Sequence, residues 1–499
     1  MINTRISAGF NKVQSICTCC NVTEIKLCMA KNEAESAVIS VLSDKEIKNA
    51  YFEIVKGNDG FTVEFEKEYF VSCNGVMWPD AIAPVKSFDI ESGVLTNVLV
   101  RFTNTVNTEA GKYSFVLALK DGEGNVIFNY TIRIKVWNFA LPETYSINTA
   151  MSIIPEFINE KHGVTDEAAQ KELYVKYYEF LLKYRVSAYD LPYNPLDERA
   201  DKYMSDPRVT SFVLNSWADD ETLKKYQEKM SSNPEWLKKA TFYPVDEPLN
   251  MEHLGRLASR CYHLEQLCPD IRRTSPFFVD YRVNSTTDQL DVLIDVCDVL
   301  CPKLTCFDDD FFYNGPGYHN PELLTEKGSF LSRMDKARED GKQVWQYVCW
   351  EPGKPYVNLY VNESGLDHRV LFWQQHLMGA TGFLYWSTTW WKYVADPWTD
   401  MATVQGWLTD KVHGDGSLLY PGNKVGIDGP CASIRLETVR DGIEDCEMFL
   451  LADKALGRDW VLSKIKAVTM DVKNYTESSE FFTAVRNEIG NELEKALNK

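Results

Sequence analysis

Between residues 147 and 387 one rhythm recurs: a short apolar segment, then a longer stretch of helical period. The candidate strands are INTAMSII (147–154), VSAYDL (186–191), VTSFVL (209–214), ATFYPV (240–245), RRTSPFF (272–278), DVLCPKL (298–304), QVWQYVCW (343–350) and GFLYWS (382–387). Between them, Leu254, Leu257, Ala258, Cys261 and Leu264 form one apolar stripe at helical spacing, and Leu173, Tyr177, Phe180 and Leu181 form another after a Thr165–Asp166 N-cap. Strand and helix in alternation predict parallel βα units. Eight units predict a (β/α)8 TIM barrel over 143–430, with its active site where the strands end. A doubly wound open sheet is the competing arrangement.

The flanks have a different grammar. In residues 1–142, FTVEFE (61–66), VLVRF (98–102) and TIRIKVW (131–137) alternate with a period of two, and a turn is expected at 121–125. That pattern predicts an antiparallel β-sandwich. Residues 431–499, beginning near IRLETVRDGIEDCEMFLLADKAL, read as a short helical region. A chain of 499 residues exceeds the roughly 250–300 that one core supports, which agrees with a multidomain organisation.

Charge and cysteine usage exclude several functions. The net charge is −19 with no Lys/Arg-rich run, which argues against nucleic acid and anionic membrane as partners. MINTRISAGFNKVQSICTCC lacks the apolar core of a secretory signal, and nowhere do about 20 apolar residues run together. The reading is a cytoplasmic protein without membrane insertion, its 13 cysteines reduced. Cys17, Cys19, Cys20 and Cys28 cluster, but no second Cys/His couple follows at zinc spacing, and the seven histidines form no spaced pair. No metal or cofactor is predicted.

Carboxylates and aromatic residues follow the predicted strands: Tyr193 and Asn194, Asn215 and Trp217, Asp246 and Glu247, Asp280 and Tyr281, Asp308, Trp350 and Glu351, and Trp386. Sugars suit such a rim, because C–H faces pack on indole while hydroxyls need carboxylate and amide partners. Within TFYPVDEPLN (241–250), Asp246 and Glu247 sit about 3.8 Å apart along the backbone, close enough for one charge to raise the other's pKa. A raised carboxylic acid can protonate a leaving oxygen while its ionised neighbour holds a positive centre. Asp-Glu-Pro is equally a helix start; its position after the fourth strand favours catalysis.

VDEP, GATGFLYWSTTWW, DGSLLYPG and GPCASIRLETVRDGIEDCE together resemble glycoside hydrolase family 123 over nearly the whole chain. The resemblance implies a sandwich, a TIM barrel and a helical tail. It also implies a retaining β-N-acetylgalactosaminidase whose substrate supplies its own 2-acetamido nucleophile, with Asp246 orienting the acetamido group and Glu247 acting as acid and then base. Trp386 is expected to floor the sugar and Trp350 to wall the acetamido pocket. Tyr281 or Tyr193 is expected to donate to the acetamide oxygen, and Asp308 and Asn215 to bind ring hydroxyls. Two alternatives stand beside it: a two-carboxylate retaining enzyme with Glu247 as acid/base and Glu351 as nucleophile, and a carbohydrate-binding protein without catalysis.

Overall fold

The computed structural model describes residues 1–248, 250–278, 289–314, 325–404 and 412–498. Its N-terminal part is two sheets whose inward faces share a core, with Ile39, Val98, Val100 and Phe102 from one meeting Met29, Phe115, Leu117 and Ile132 from the other. Alternation along the strands produces this: in Thr96–Asn104 and Gly111–Lys120 the inward side chains are apolar and buried. The expected turn closes as a hairpin, with Asp121 Oδ1 accepting from the backbone N–H of Asn125 at 2.9 Å. The pairing is antiparallel except that Glu24–Lys31 runs parallel to Val126–Ala140.

The central sheet is parallel. Seven strands hydrogen-bond in the order Asn148–Met151, Gly382–Tyr385, Gln343–Tyr347, Val299–Pro302, Arg272–Phe277, Ala240–Phe242, Phe212–Leu214. The second predicted strand, 186–191, contributes only one parallel bridge, Met151 to Ala188. Its Tyr189 nevertheless spans the gap, its N–H donating to Met151 O at 2.8 Å and its carbonyl accepting from Val213 N at 2.9 Å. The result is a nearly closed parallel barrel of seven strands, where eight complete strands were expected. An open doubly wound sheet does not fit that closure.

The tail departs furthest from its simple reading as an appended helical region. Leu419–Pro421 and Pro430–Ser433 extend the N-terminal sheet, Ala432 pairing antiparallel with Ile82. The helix Ile434–Leu456 then runs almost wholly buried, charges included. Those charges are all answered: Arg435 by Asp80 (2.8 Å), Glu437 by Arg101 (2.6 Å), Glu444 by Arg185 (2.8 Å), and Asp445 by Arg369 (2.7 Å) and Arg486 (2.6 Å). One helix is thereby tied to the N-terminal sheets, to Gly365–Leu377 and to the last helix, Ser479–Leu497. Gly442 lets it approach, since a Cβ there would stand 2.4 Å from the Phe372 ring. Among the described residues no helix is long and apolar enough to cross a membrane.

Candidate active site

The barrel strands end around a cavity of about 650 Å³, within the range of small-molecule sites. Asp246, Glu247, Trp350 and Trp386 all line it, as do Tyr189, Asp190, Trp217, Tyr243 and Tyr347. Successive side chains of a strand point to opposite faces, so two neighbouring carboxylates in one cavity need a break in the strand. The break is at Glu247, whose φ of 39° lies in the left-handed region although the residue is not glycine. Such conformations cost roughly 1–3 kcal/mol and persist only where the surroundings impose them.

Those surroundings are visible in the turn's carbonyls. Ser216 Oγ donates to Tyr243 O (3.0 Å), Trp217 Nε1 to Pro244 O (2.7 Å), Ser275 Oγ to Val245 O (2.7 Å) and Gln289 Nε2 to Pro248 O (2.7 Å). A segment without strand partners is thus held by side chains from neighbouring units. The helix-start reading of Asp-Glu-Pro does not apply: the helix is Met251–Leu267, and its N-cap is Asn250, which accepts from His253 N at 2.9 Å.

Each carboxylate receives a phenol. Tyr243 Oη donates to Asp246 Oδ1 at 2.6 Å and Tyr347 Oη to Glu247 Oε1 at 2.5 Å. Desolvation pushes both phenols well above their ordinary range, with the charge of Asp246 adding for Tyr243 and that of Glu247 for Tyr347, so both remain donors. Beneath them the Cys301 thiol is likewise raised by burial, then by the Asp246 charge, and stays neutral. Burial raises Asp190 as well.

Trp386 is seated from behind. Its Nε1 donates to both oxygens of Asp415 at 3.1 Å, and Tyr385 Oη donates to the same Oδ1 at 3.2 Å. Asp415 is fully buried, and desolvation lifts its carboxyl to about 7. The next residue, Gly416, has φ +68° and passes so near the indole that a Cβ would lie 2.2 Å from Cζ2.

The other sequence-based candidates are not at the cavity. Asn215 is exposed and turns Oδ1 onto the backbone N–H of Trp217 at 3.0 Å, so that Trp217 takes the lining place. Tyr193 lies under Lys171 and Arg199, at 4.6 and 4.4 Å from its ring centre. Asp308 accepts from Tyr356 Oη at 2.6 Å and pairs with Lys473 at 2.7 Å. Glu351 is half exposed, 3.5 Å from Lys303, and outside the lining set. Tyr281 lies outside the described residues.

Residues that sequence reasoning missed had a signal in the strand period. In QVWQYVCW, Trp345, Tyr347 and Cys349 share one face, which is the barrel interior. Once Trp350 marks the strand end, that face delivers Tyr347 to the site. Asp415 carries no such signal, because it lies 29 residues from Trp386 in a segment without period.

Comparison with known proteins joins this geometry to a family. Residues 305–452 match the model described as "Glycoside hydrolase 123, catalytic domain". That stretch of the chain is similar to the catalytic domain of this family. The matched span holds Trp350, Trp386, Asp415 and most of the buried helix, and begins after Asp246 and Glu247. A family 123 glycoside hydrolase from Clostridium perfringens, studied for glycolipid glycan hydrolysis, superposes with a TM-score of 0.68 at 13% identity, covering 100% of this chain and 98% of that one. The likeness is one of fold. A GH2 beta-galacturonidase from Eisenbergiella tayi covers 82% of this chain and 69% of its own at 10% identity, but its TM-score of 0.31 is too low to carry a shared fold. No curated protein matches the chain.

Proposed function

We propose that this glycoside hydrolase releases terminal β-linked N-acetylgalactosamine with retention, the substrate's 2-acetamido oxygen serving as nucleophile. The observation that carries the reading is the pair Asp246 and Glu247 in one cavity, each bonded to a buried-barrel tyrosine and faced by Trp350 and Trp386. An acetamido oxygen tethered beside the anomeric carbon is intramolecular, and well-oriented intramolecular groups reach effective molarities of about 10⁵–10⁸ M. No enzyme nucleophile is then required. Asp246, acceptor to Tyr243, is suited to take the acetamido N–H and to stabilise the oxazolinium cation as it forms. Glu247 protonates the departing oxygen, then removes a proton from the water that opens the ring. Trp386, fixed by Asp415, floors the pyranose.

The same placement speaks against the two-carboxylate alternative, since Glu351 pairs with Lys303 and is not among the residues that line the cavity. The glycan of a glycolipid, the class named for the Clostridium perfringens enzyme, is a natural first substrate to try. The deciding experiment is a panel of nitrophenyl β-glycosides with and without the 2-acetamido group. Turnover of acetamido substrates only, with thiazoline inhibition, is expected; Glu247→Gln should lower kcat by about 10²–10⁴-fold. Equal turnover of sugars lacking the acetamido group would refute the mechanism. Sugar binding without any release of aglycone by the wild type would favour a binding protein.

A further inference from the structure

One group of reactive side chains has no part in that chemistry. Nine of the 13 cysteines are buried and Cys28 is half-buried, whereas Cys17, Cys19 and Cys20 are exposed. They stand in the segment between the strands Ile2–Ala8 and Glu24–Lys31, and their three Sγ atoms all lie within 4.8 Å of one another. Cys17 Sγ and Cys19 Sγ are 2.7 Å apart in hydrogen-bond contact, with no disulfide formed.

The segment is pinned on both sides of the thiols. Before them, Val13 O accepts from Asn97 Nδ2 at 2.8 Å, and Gln14 Nε2 donates to Met77 O at 2.8 Å. After them, Asn21 Oδ1 accepts from Thr4 N at 2.9 Å, and Val22 bridges to Arg5. The sulfurs are therefore gathered by a tethered turn, and part of the ordering that ligation requires is already done.

We propose that Cys17, Cys19 and Cys20 form a three-thiolate site for a soft d¹⁰ cation, with copper(I) as the preferred occupant. Soft thiolates select copper(I) and zinc among the first-row metals, but structural zinc takes four ligands, and this cluster supplies three. Metal–sulfur bonds of about 2.3 Å in a trigonal plane place sulfurs about 4 Å apart, so all three contacts fit the observed limit once Cys17 and Cys19 open by about 1 Å. Binding replaces S–H bonds with S–Cu bonds and releases the thiol protons to solvent; no electron is transferred.

The test is titration of the reduced full-length chain with copper(I) under anaerobic conditions against a chromophoric chelator. One copper per chain with thiolate-to-copper ultraviolet absorption is expected. Cys17→Ser, Cys19→Ser and Cys20→Ser should each weaken binding by at least about tenfold, which is ~1.4 kcal/mol, and the triple variant should bind none. Because the side chains are exposed, circular dichroism should show the variants folded. Equal copper uptake by wild type and triple variant, or tighter binding of zinc than of copper(I), would overturn the proposal.

Discussion

Tyr347 and Tyr243 each donate a hydrogen bond to one carboxylate of the pair, and that geometry sets what the residues can be asked to do. Removing Tyr347 Oη leaves Glu247 oriented by one fewer donor without emptying the barrel core. Tyr347→Phe is expected to keep the fold and to lower kcat roughly tenfold, with the alkaline limb of the kcat profile displaced to higher pH, because loss of a donor to the charged form favours the protonated acid. An unchanged profile would show that the phenol does not tune Glu247. Asp415 acts one step back, through the indole of Trp386. Asp415→Leu removes the acceptor, and its effect is expected mainly in KM, as loosened sugar packing, with Trp386 fluorescence altered. A fall confined to kcat would contradict that role.

At the scale of elements, the buried helix Ile434–Leu456 decides how sheets and barrel hold together. A helix apolar all round explains its own burial; one carrying Arg435, Glu437, Glu444 and Asp445 inside does so through partners on other elements. Removing one partner leaves a charge uncompensated, at a cost of about 3–5 kcal/mol. Asp80→Ala, which strands the fully buried Arg435, is expected to reduce stability by that amount in chemical denaturation, although Asp80 is far in sequence from the helix. A change below about 1 kcal/mol would mean that the ion pair contributes little. The tail motif is thus a fastening, and its legibility in the sequence marks architecture more than chemistry.

At the scale of the whole molecule, acids are buried in every part, and they set how stability responds to pH. Burial lifts Glu68 in the N-terminal sheets to about 8, Glu363 beyond the seventh predicted strand to about 8, and Asp415 to about 7. The unfolded chain releases these protons near pH 4, whereas the folded chain keeps them until pH 7–8, so between those limits the folded state binds more protons. Stability contributed by these groups is full below pH 4 and is lost as pH rises through 7–8. Thermal midpoints are expected to fall from pH 5 to pH 8, and Glu68→Gln should flatten the decline. A midpoint curve with the same slope in the variant would sink this account of Glu68.

Much of this was readable beforehand because periodicity is local. Seven predicted strands are found where the 2- and 3.6-residue patterns placed them, and the Asp166 cap lies where a short polar side chain precedes a helix. The pair Asp246–Glu247 was legible as neighbours following an apolar run. Their shared cavity was not, since it depends on the left-handed turn at Glu247 and on donors from Ser216, Ser275 and Gln289, which no spacing encodes.

Asn215, Asp308 and Tyr193 were placed by proximity to strand ends, but the loop after a strand chooses its direction by tertiary hydrogen bonds, and theirs turn elsewhere. What the sequence alone determined is the order of strands and helices and the residue types at their ends, because those follow from the chain's own stereochemistry and burial period. Which side chains meet was decided by the tertiary structure, because contacts such as Asp415 with Trp386 and Asp80 with Arg435 form between segments whose separation only folding removes.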